Sequence, residues 1–237
     1  MHCYNPLMKQ EQNYTIWLWV FVGVVLVGVV AAMVKLASVT NSGTPNPVQT
    51  VNILPSVSSS DWIRGNPNAS TTLIEYGDFQ CPACATFHTV VLSIEKELGD
   101  NLRVIFRHFP LQQHANARIA AQAAEAAGKQ DKFWEMHDMI YEHQRDWSEK
   151  SKTDAIAIFA GYAQKLKLNI DTFGKDINDN AIIDKIEDSF DQGVGFGVDS
   201  TPSFFLNNTK LSPRSYGEFR DAIFAAAGMS TSTAATK

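Results

Sequence analysis

Thr71 to Phe79 reads TTLIEYGDF, a β-branched and aromatic run that predicts a strand, and Cys81-Pro82-Ala83-Cys84 follows it at once. An amphipathic stretch then continues to Leu98 and stops at Gly99. Leu102 to Phe109 (LRVIFRHF) predicts a second strand, ended by Pro110. Strand, turn, helix and strand in that order imply a βαβ unit with a parallel pair of strands.

Beyond that unit the pattern turns helical. His114 to Gly128 is Ala-rich, and Asp131 to Trp147, Thr153 to Leu168 and Asp171 to Phe190 each carry helical periodicity. Strand signal returns at Ser203-Phe204-Phe205-Leu206, and Asn207-Asn208 predicts a turn into a short strand at Thr209 to Leu211. Ser215 and Glu218 form a capping-box pattern for a last helix, Tyr216 to Ala227, stopped by Gly228. The expectation is an α/β domain over residues 61–228 with a helical insertion at about 112–196, and a disordered tail at 229–237.

The amino-terminal part is of another kind. From Ile16 to Val34 every residue is apolar or Gly, and the nearest charges are Glu11 and Lys35. As a helix this stretch spans about 28 Å, close to the thickness of a bilayer's hydrocarbon core. Trp17 and Trp19 stand near one end, where indole rings favour the membrane interface. Residues 16–35 therefore predict a transmembrane anchor after a short tail at 1–15. A cleaved signal peptide is the alternative, with a small-residue site around Ala31 and Ala32. Residues 36–60 read as a flexible linker, since TNSGTPNPVQTVNILPSVSSS at 40–60 has three prolines and no charge. Lys9 and Lys35 stand on opposite sides of the span, so charge alone barely decides its orientation.

A net charge of −5 argues against a dedicated nucleic-acid binder, which would present a basic face. Three cysteines are too few for a disulfide scaffold or a four-cysteine zinc ribbon. A lone C-x-x-C fits half a zinc site, a structural disulfide or a redox pair. Zinc needs two more ligands, and neither a further cysteine in the domain nor the spacing of His88 and the other histidines supplies them. A disulfide closing two intervening residues constrains little chain entropy. The junction of strand and helix favours redox chemistry: it puts Cys81 at the helix amino terminus with Pro82 in the first turn. Free N–H groups and the helix dipole stabilise a thiolate there, while Cys84, one turn further in, is expected to be more buried and to resolve a mixed disulfide.

Asp78-Phe79-Gln80-Cys81-Pro82-Ala83-Cys84, Phe133-Trp134-Glu135-Met136-His137 and Gly197-Val198-Asp199-Ser200-Thr201-Pro202-Ser203-Phe204-Phe205 together resemble the DsbA-like thioredoxin-fold thiol:disulfide oxidoreductases, in particular their membrane-anchored bacterial branch. The likeness covers about residues 60 to 228 in order. It implies a thioredoxin core with an inserted helical subdomain, and no cofactor or metal beyond the redox-active Cys81–Cys84 pair. It makes Thr201-Pro202 the cis-proline loop against that pair, where the Thr201 backbone can bond an extended substrate. A proline merely opening a strand is the plainer reading. It makes Glu75 the buried acid that accepts the Cys84 proton, its pKa raised by desolvation, against the plainer reading of a solvated strand carboxylate. Pro82-Ala83 departs from the His-containing dipeptide of DsbA itself, so the Cys81 pKa is expected below that of a free thiol but less extreme than in DsbA.

Several other features are read as empty. Asp176, Asn178, Asn180 and Glu187 mimic calcium-loop spacing, but Ala181 replaces the required glycine. His108, His114 and the stripe Phe133, Trp134, His137, Tyr141 read as packing, and Cys3 as incidental. The functional expectation is an anchored oxidase that gives its disulfide to reduced secreted or envelope proteins and is reoxidised by a quinone-linked membrane partner. Disulfides persist outside the cytoplasm, which puts the domain on the external face. A reductase or isomerase using the same pair, and a non-catalytic substrate-binding or chaperone module, are the alternatives.

Overall fold

The computed structural model describes residues 19–29, 33 and 55–230. The chain divides into two compact units, Met1–Val51 and Asn52–Lys237. In the first, residues 19–29 are helical with exposed side chains; the rest of the expected anchor, apart from residue 33, lies outside the described residues. Among the described residues no helix is long and apolar enough to cross a membrane. The expected tail at 1–15 with Cys3, the linker as far as residue 54, and residues 231–237 also lie outside them.

The second unit is built on a five-stranded sheet: β1 (Trp62–Gly65), β2 (Thr71–Gly77), β3 (Leu102–His108), β4 (Ser203–Leu206) and β5 (Thr209–Lys210), in the spatial order β1-β3-β2-β4-β5. β2 and β3 run parallel, joined by helix α1 (Pro82–Leu98), and the other neighbours are antiparallel. β2 is central and buried along its whole length. Side chains alternate across it, so Leu73 packs with Val91 and Ile94 of α1, while Ile74 and Tyr76 meet Phe109 and Val198 on the other face. Glu75 shares the Leu73 face by that two-residue period, which turns a carboxyl group towards α1.

The insertion comprises α2 (Ala117–Gly128), α3 (Phe133–Glu142), α4 (Gln144–Trp147), α5 (Lys152–Lys165), α6 (Ile170–Asp176) and α7 (Asn180–Gly195). The last helix, α8 (Tyr216–Ala226), starts at Ser215, whose Oγ accepts from the Glu218 amide. Glu218 reaches back one residue further than the capping-box pattern requires, accepting from the Arg214 amide at 2.9 Å. Asn207 and Asn208 form the expected turn with positive φ, and Asn207 Oδ1 also accepts from the Thr72 amide at 2.8 Å.

Three local expectations change. The stretch from Asp131 to Trp147 is two helices, because His143 leaves helical backbone (φ −109°, ψ 24°). The Ile140 carbonyl, which a continuous helix would bond to the residue-144 amide, accepts the Trp147 indole N–H instead at 2.9 Å. The stretch from Asp171 to Phe190 also breaks, since Asp179 caps α7 by accepting the Ala181 amide, and Lys129 bonds Asp176 and Asp179 across the gap. Finally, the end of the stretch read as linker packs on the domain. Pro55 is buried, the Ser56 carbonyl accepts from Arg107, and Arg107 also pairs with Asp61. That contact leads directly into β1, a strand no sequence signal marked.

Candidate active site

Cys81 caps α1 with extended backbone (φ −71°, ψ 121°), and Pro82 takes the first helical position, where a missing N–H costs nothing. Both cysteines are free thiols. Cys81 is 7% exposed and Cys84, one turn along, is fully enclosed, while Pro82 and Ala83 between them face solvent. The Cys81 thiol is held at about 5, well below an ordinary thiol. A hydrogen bond from Cys84 is the largest cause, and the Cys84 and Ala83 amides add to it against the cost of burial. Cys84 moves the other way, raised by burial first and then by its bond to Cys81 and the nearby charge of Glu75. One thiol is poised to ionise and its neighbour to keep its proton.

The Thr201–Pro202 peptide is cis, and the Thr201 carbonyl lies 3.3 Å from Cys81 Sγ. The loop before β4 and the amino terminus of α1 are thus brought into contact across 120 residues of chain. Glu75 is buried beneath the pair, and its Oε1 has no partner among the described residues. In register it faces Phe106 on β3 and Phe204 on β4, so neither neighbouring strand offers a side-chain donor. Desolvation is the main cause that raises its pKa from 4.5 to about 8, and the charge of Cys81 adds to it.

The loop entering α1 is tied to the insertion by polar side chains. Asp78, fully buried, accepts from the Gln80 amide (2.7 Å), the Leu111 amide (2.8 Å) and His114 Nδ1 (2.7 Å). Gln80 accepts from the Asn116 amide at 2.7 Å and donates to the Ser148 carbonyl at 2.8 Å. Gln144 Nε2 donates to the Phe79 carbonyl at 2.7 Å and to the Cys81 carbonyl at 3.0 Å. Sequence reasoning assigned none of these a role. Gln144 lies 63 residues from Cys81, and no motif could have signalled it.

His88, His137 and Asp138 place possible metal-ligand atoms within 4.8 Å of one another. Arg64 already occupies the carboxylate, with Nη2 at 2.5 Å from Asp138 Oδ1, and His137 Nδ1 lies 2.9 Å from the same oxygen. The guanidinium also stacks over Trp134 at 4.2 Å and pairs with Glu95. Burial pushes His137 down to about 3, so its ring is neutral at ordinary pH. The donor set fits an ion-paired wall between α1, α3 and β1 better than a cation site, because a metal would face a fixed positive charge. His108 is likewise committed, to Glu125 at 2.8 Å, and the rings of Phe133, His137 and Tyr141 are buried in the core.

Together the fold and the paired thiols define a thioredoxin-type redox domain. The family model described as Thioredoxin matches residues 58–225, and the chain belongs to that family. Among solved structures it is similar to alpha-DsbA1 of Wolbachia pipientis, at 26% identity over 74% of this chain and 94% of that one, with TM-score 0.65. BdbD of Bacillus subtilis shows the same fold (23% identity, 74% and 96% of the two chains, TM-score 0.65). The architecture they share with this chain is the DsbA-like form of the thioredoxin fold. It is also 38% identical over 151 residues to a Na(+)/H(+) antiporter NhaA 1 of Salinispora arenicola, a match covering 63% of this chain and 22% of that protein. The chain thus spans about a fifth of that relative's length.

Proposed function

We propose that the protein is an oxidase that donates the Cys81–Cys84 disulfide to reduced secreted or envelope proteins. The observation that carries this reading is the place of Cys81 at the amino terminus of α1 beside the cis Thr201–Pro202 loop, a setting that holds its thiol down at about 5. A couple whose reduced form is stabilised gives up its disulfide readily, and a low-pKa thiolate is a good leaving group. A substrate thiolate attacks Cys81 Sγ, the Cys81–Cys84 bond breaks, and Cys84 leaves with the electron pair and takes a proton from Glu75. A second substrate thiolate then attacks the substrate sulfur of the mixed disulfide and releases Cys81 as thiolate. Two electrons pass from two substrate thiols to the protein dithiol. In the reverse direction Glu75 accepts the Cys84 proton. The Thr201 backbone beside Cys81 aligns an extended substrate, with Pro202 shaping the loop. Pro82 and Ala83 form the exposed surface the substrate approaches.

Equilibrating the domain with glutathione buffers tests the direction of flux. The expected potential is clearly more oxidising than the roughly −270 mV of thioredoxin. A value at or below that level rejects the oxidase in favour of a reductase.

The location is part of the same proposal. Residues 16–35 anchor the protein in the membrane, the domain stands on the extracytoplasmic side, and a quinone-linked membrane protein reoxidises it. The apolar run from Ile16 to Val34 and the need for an oxidising compartment support this. In intact cells treated with a membrane-impermeant phosphine to reduce the Cys81–Cys84 disulfide, a membrane-impermeant maleimide is expected to label Cys81, and the full chain to stay with membranes after alkaline washing. Labelling only after lysis, or release by the wash, rejects the placement.

A further inference from the structure

The Pro82-Ala83 dipeptide brings no donor side chain to Cys81, and Pro82 brings no N–H, so between the two cysteines local sequence adds no side-chain donor to the Ala83 and Cys84 amides. The structure supplies one from outside. Both hydrogens of the Gln144 side-chain amide are used on the loop that carries Cys81, one on the Phe79 carbonyl and one on the Cys81 carbonyl itself. Among the described residues the Cys81 carbonyl otherwise accepts only the longer bond from the Ala85 amide at 3.2 Å. An amide NH2 is the positive end of a dipole, and here it points at the backbone of the residue that must carry a negative sulfur.

The amide is also held in place. It opens α4, which is fixed at its other end by the Trp147 indole on the Ile140 carbonyl. Gln80 and Asn116 both bond the Ser148 carbonyl just beyond it, at 2.8 and 3.2 Å. A donor preorganised in this way acts without a reorganisation cost at the moment of reaction.

We propose that Gln144 is a positioning residue for the exchange reaction, its side-chain amide holding the Cys81 backbone in capping geometry and favouring the thiolate over the thiol. The proposal rests on Cys81 being the exchanging thiol. It gives the helical insertion a part in the chemistry, since the residue that tunes the nucleophile belongs to a helix outside the thioredoxin core.

The test uses the full chain with Gln144→Ala, Gln144→Glu and Gln144→Lys. A cleft of about 470 Å³ beside Gln144, lined also by Pro82, Ala85 and Thr86, leaves room for each. Thiolate absorbance of the reduced protein is titrated against pH, the equilibrium with glutathione is measured, and melting temperature is recorded alongside. The lysine keeps a donor and adds positive charge, alanine removes the donor, and glutamate offers only acceptors to two carbonyls. The Cys81 midpoint is therefore expected at or below wild type for Q144K, about half a unit or more higher for Q144A, and highest for Q144E. The glutathione equilibrium shifts towards the disulfide in the same order, about threefold for Q144A. A purely structural role moves all three variants the same way, in step with melting temperature. Midpoints unchanged in all three, or raised by lysine as much as by alanine, overturn the proposal. Should Q144E fail to fold, the alanine and lysine variants decide. A wild-type midpoint in the ordinary thiol range overturns instead the reading of Cys81 on which the proposal rests.

Discussion

Cys81→Ser and Cys84→Ser each reduce disulfide transfer to a reduced protein substrate to the uncatalysed background, because neither can form the transferable disulfide. Cys84→Ser, which keeps the Cys81 thiolate, attacks a disulfide-bonded substrate once, expels one of its thiolates and stays joined to it. The difference follows from the opposite environments of the two sulfurs. Cys81 lies at a helix amino terminus, partly accessible, and ionises at about 5, so at neutral pH it is almost wholly thiolate. A serine hydroxyl there neither ionises in the working pH range nor leaves as a stable anion. Cys84 is enclosed and its thiol is raised, so it serves as the internal resolving group and is not reached by substrate. Cys84→Ala, unlike the serine variant, removes the donor that is the largest single stabiliser of the Cys81 thiolate, and the Cys81 midpoint in that variant is expected to rise. Refolding of a reduced, disulfide-containing protein measures the first effect, and non-reducing electrophoresis of trapped complexes the second. Full activity in Cys81→Ser would reduce the domain to a substrate-binding module.

Glu75→Gln is expected to stabilise the reduced protein at alkaline pH while slowing exchange. The folded-state pKa of Glu75 is raised from 4.5 to about 8, so its contribution to stability is fully present below about 4.5 and is lost as pH rises through 8. Glutamine stays neutral throughout. Stabilities of wild type and variant should therefore match near pH 4.5 and diverge above it, reaching a gain on the order of 5 kcal/mol near pH 8.5. In the disulfide form the gain is smaller, because the negative charge of Cys81 that helps raise Glu75 has gone. Cys81 itself runs in the opposite sense. Its depressed pKa adds stability to the reduced form as pH rises from about 5 towards 9, and both proteins share that trend. Urea unfolding of reduced and oxidised protein across this range separates the two. A stability difference that does not change with pH would show that Glu75 is not the buried proton carrier.

Much of the core was legible because its signals are local. The strand at Thr71–Gly77, the helix from Pro82 to its stop at Gly99, and the second strand each announce themselves within a few residues. The same holds for Asn207-Asn208 and for Ser215 as a cap. β1 was not legible, since Trp-Ile-Arg-Gly is too short to show alternation. It becomes a strand through pairing with β3, the Trp62 ring on Phe133 at 4.7 Å, and the Trp62 indole on Glu125. The breaks at His143 and before Asp179 were hidden for a related reason. Apolar periodicity passes through both, and only the Trp147 indole and the Lys129 bridge show where the backbone leaves the helix.

The sequence by itself determined that Cys81 and Cys84 stand at the start of a helix behind a strand, one turn apart. That placement gives Cys81 the free amides of the first turn and puts Cys84 within reach of its sulfur, while the burial that raises Cys84 comes from packing. Only the tertiary structure decided what surrounds the pair. The Thr201 carbonyl arrives from 120 residues away, Glu75 is left between two phenylalanines, and Gln144 crosses from the insertion to the Cys81 backbone. Local pattern encodes which way a backbone runs and which face of it is apolar. It does not encode which distant carbonyl packing will bring within 3.5 Å of a sulfur, or which distant amide will reach the backbone that carries that sulfur.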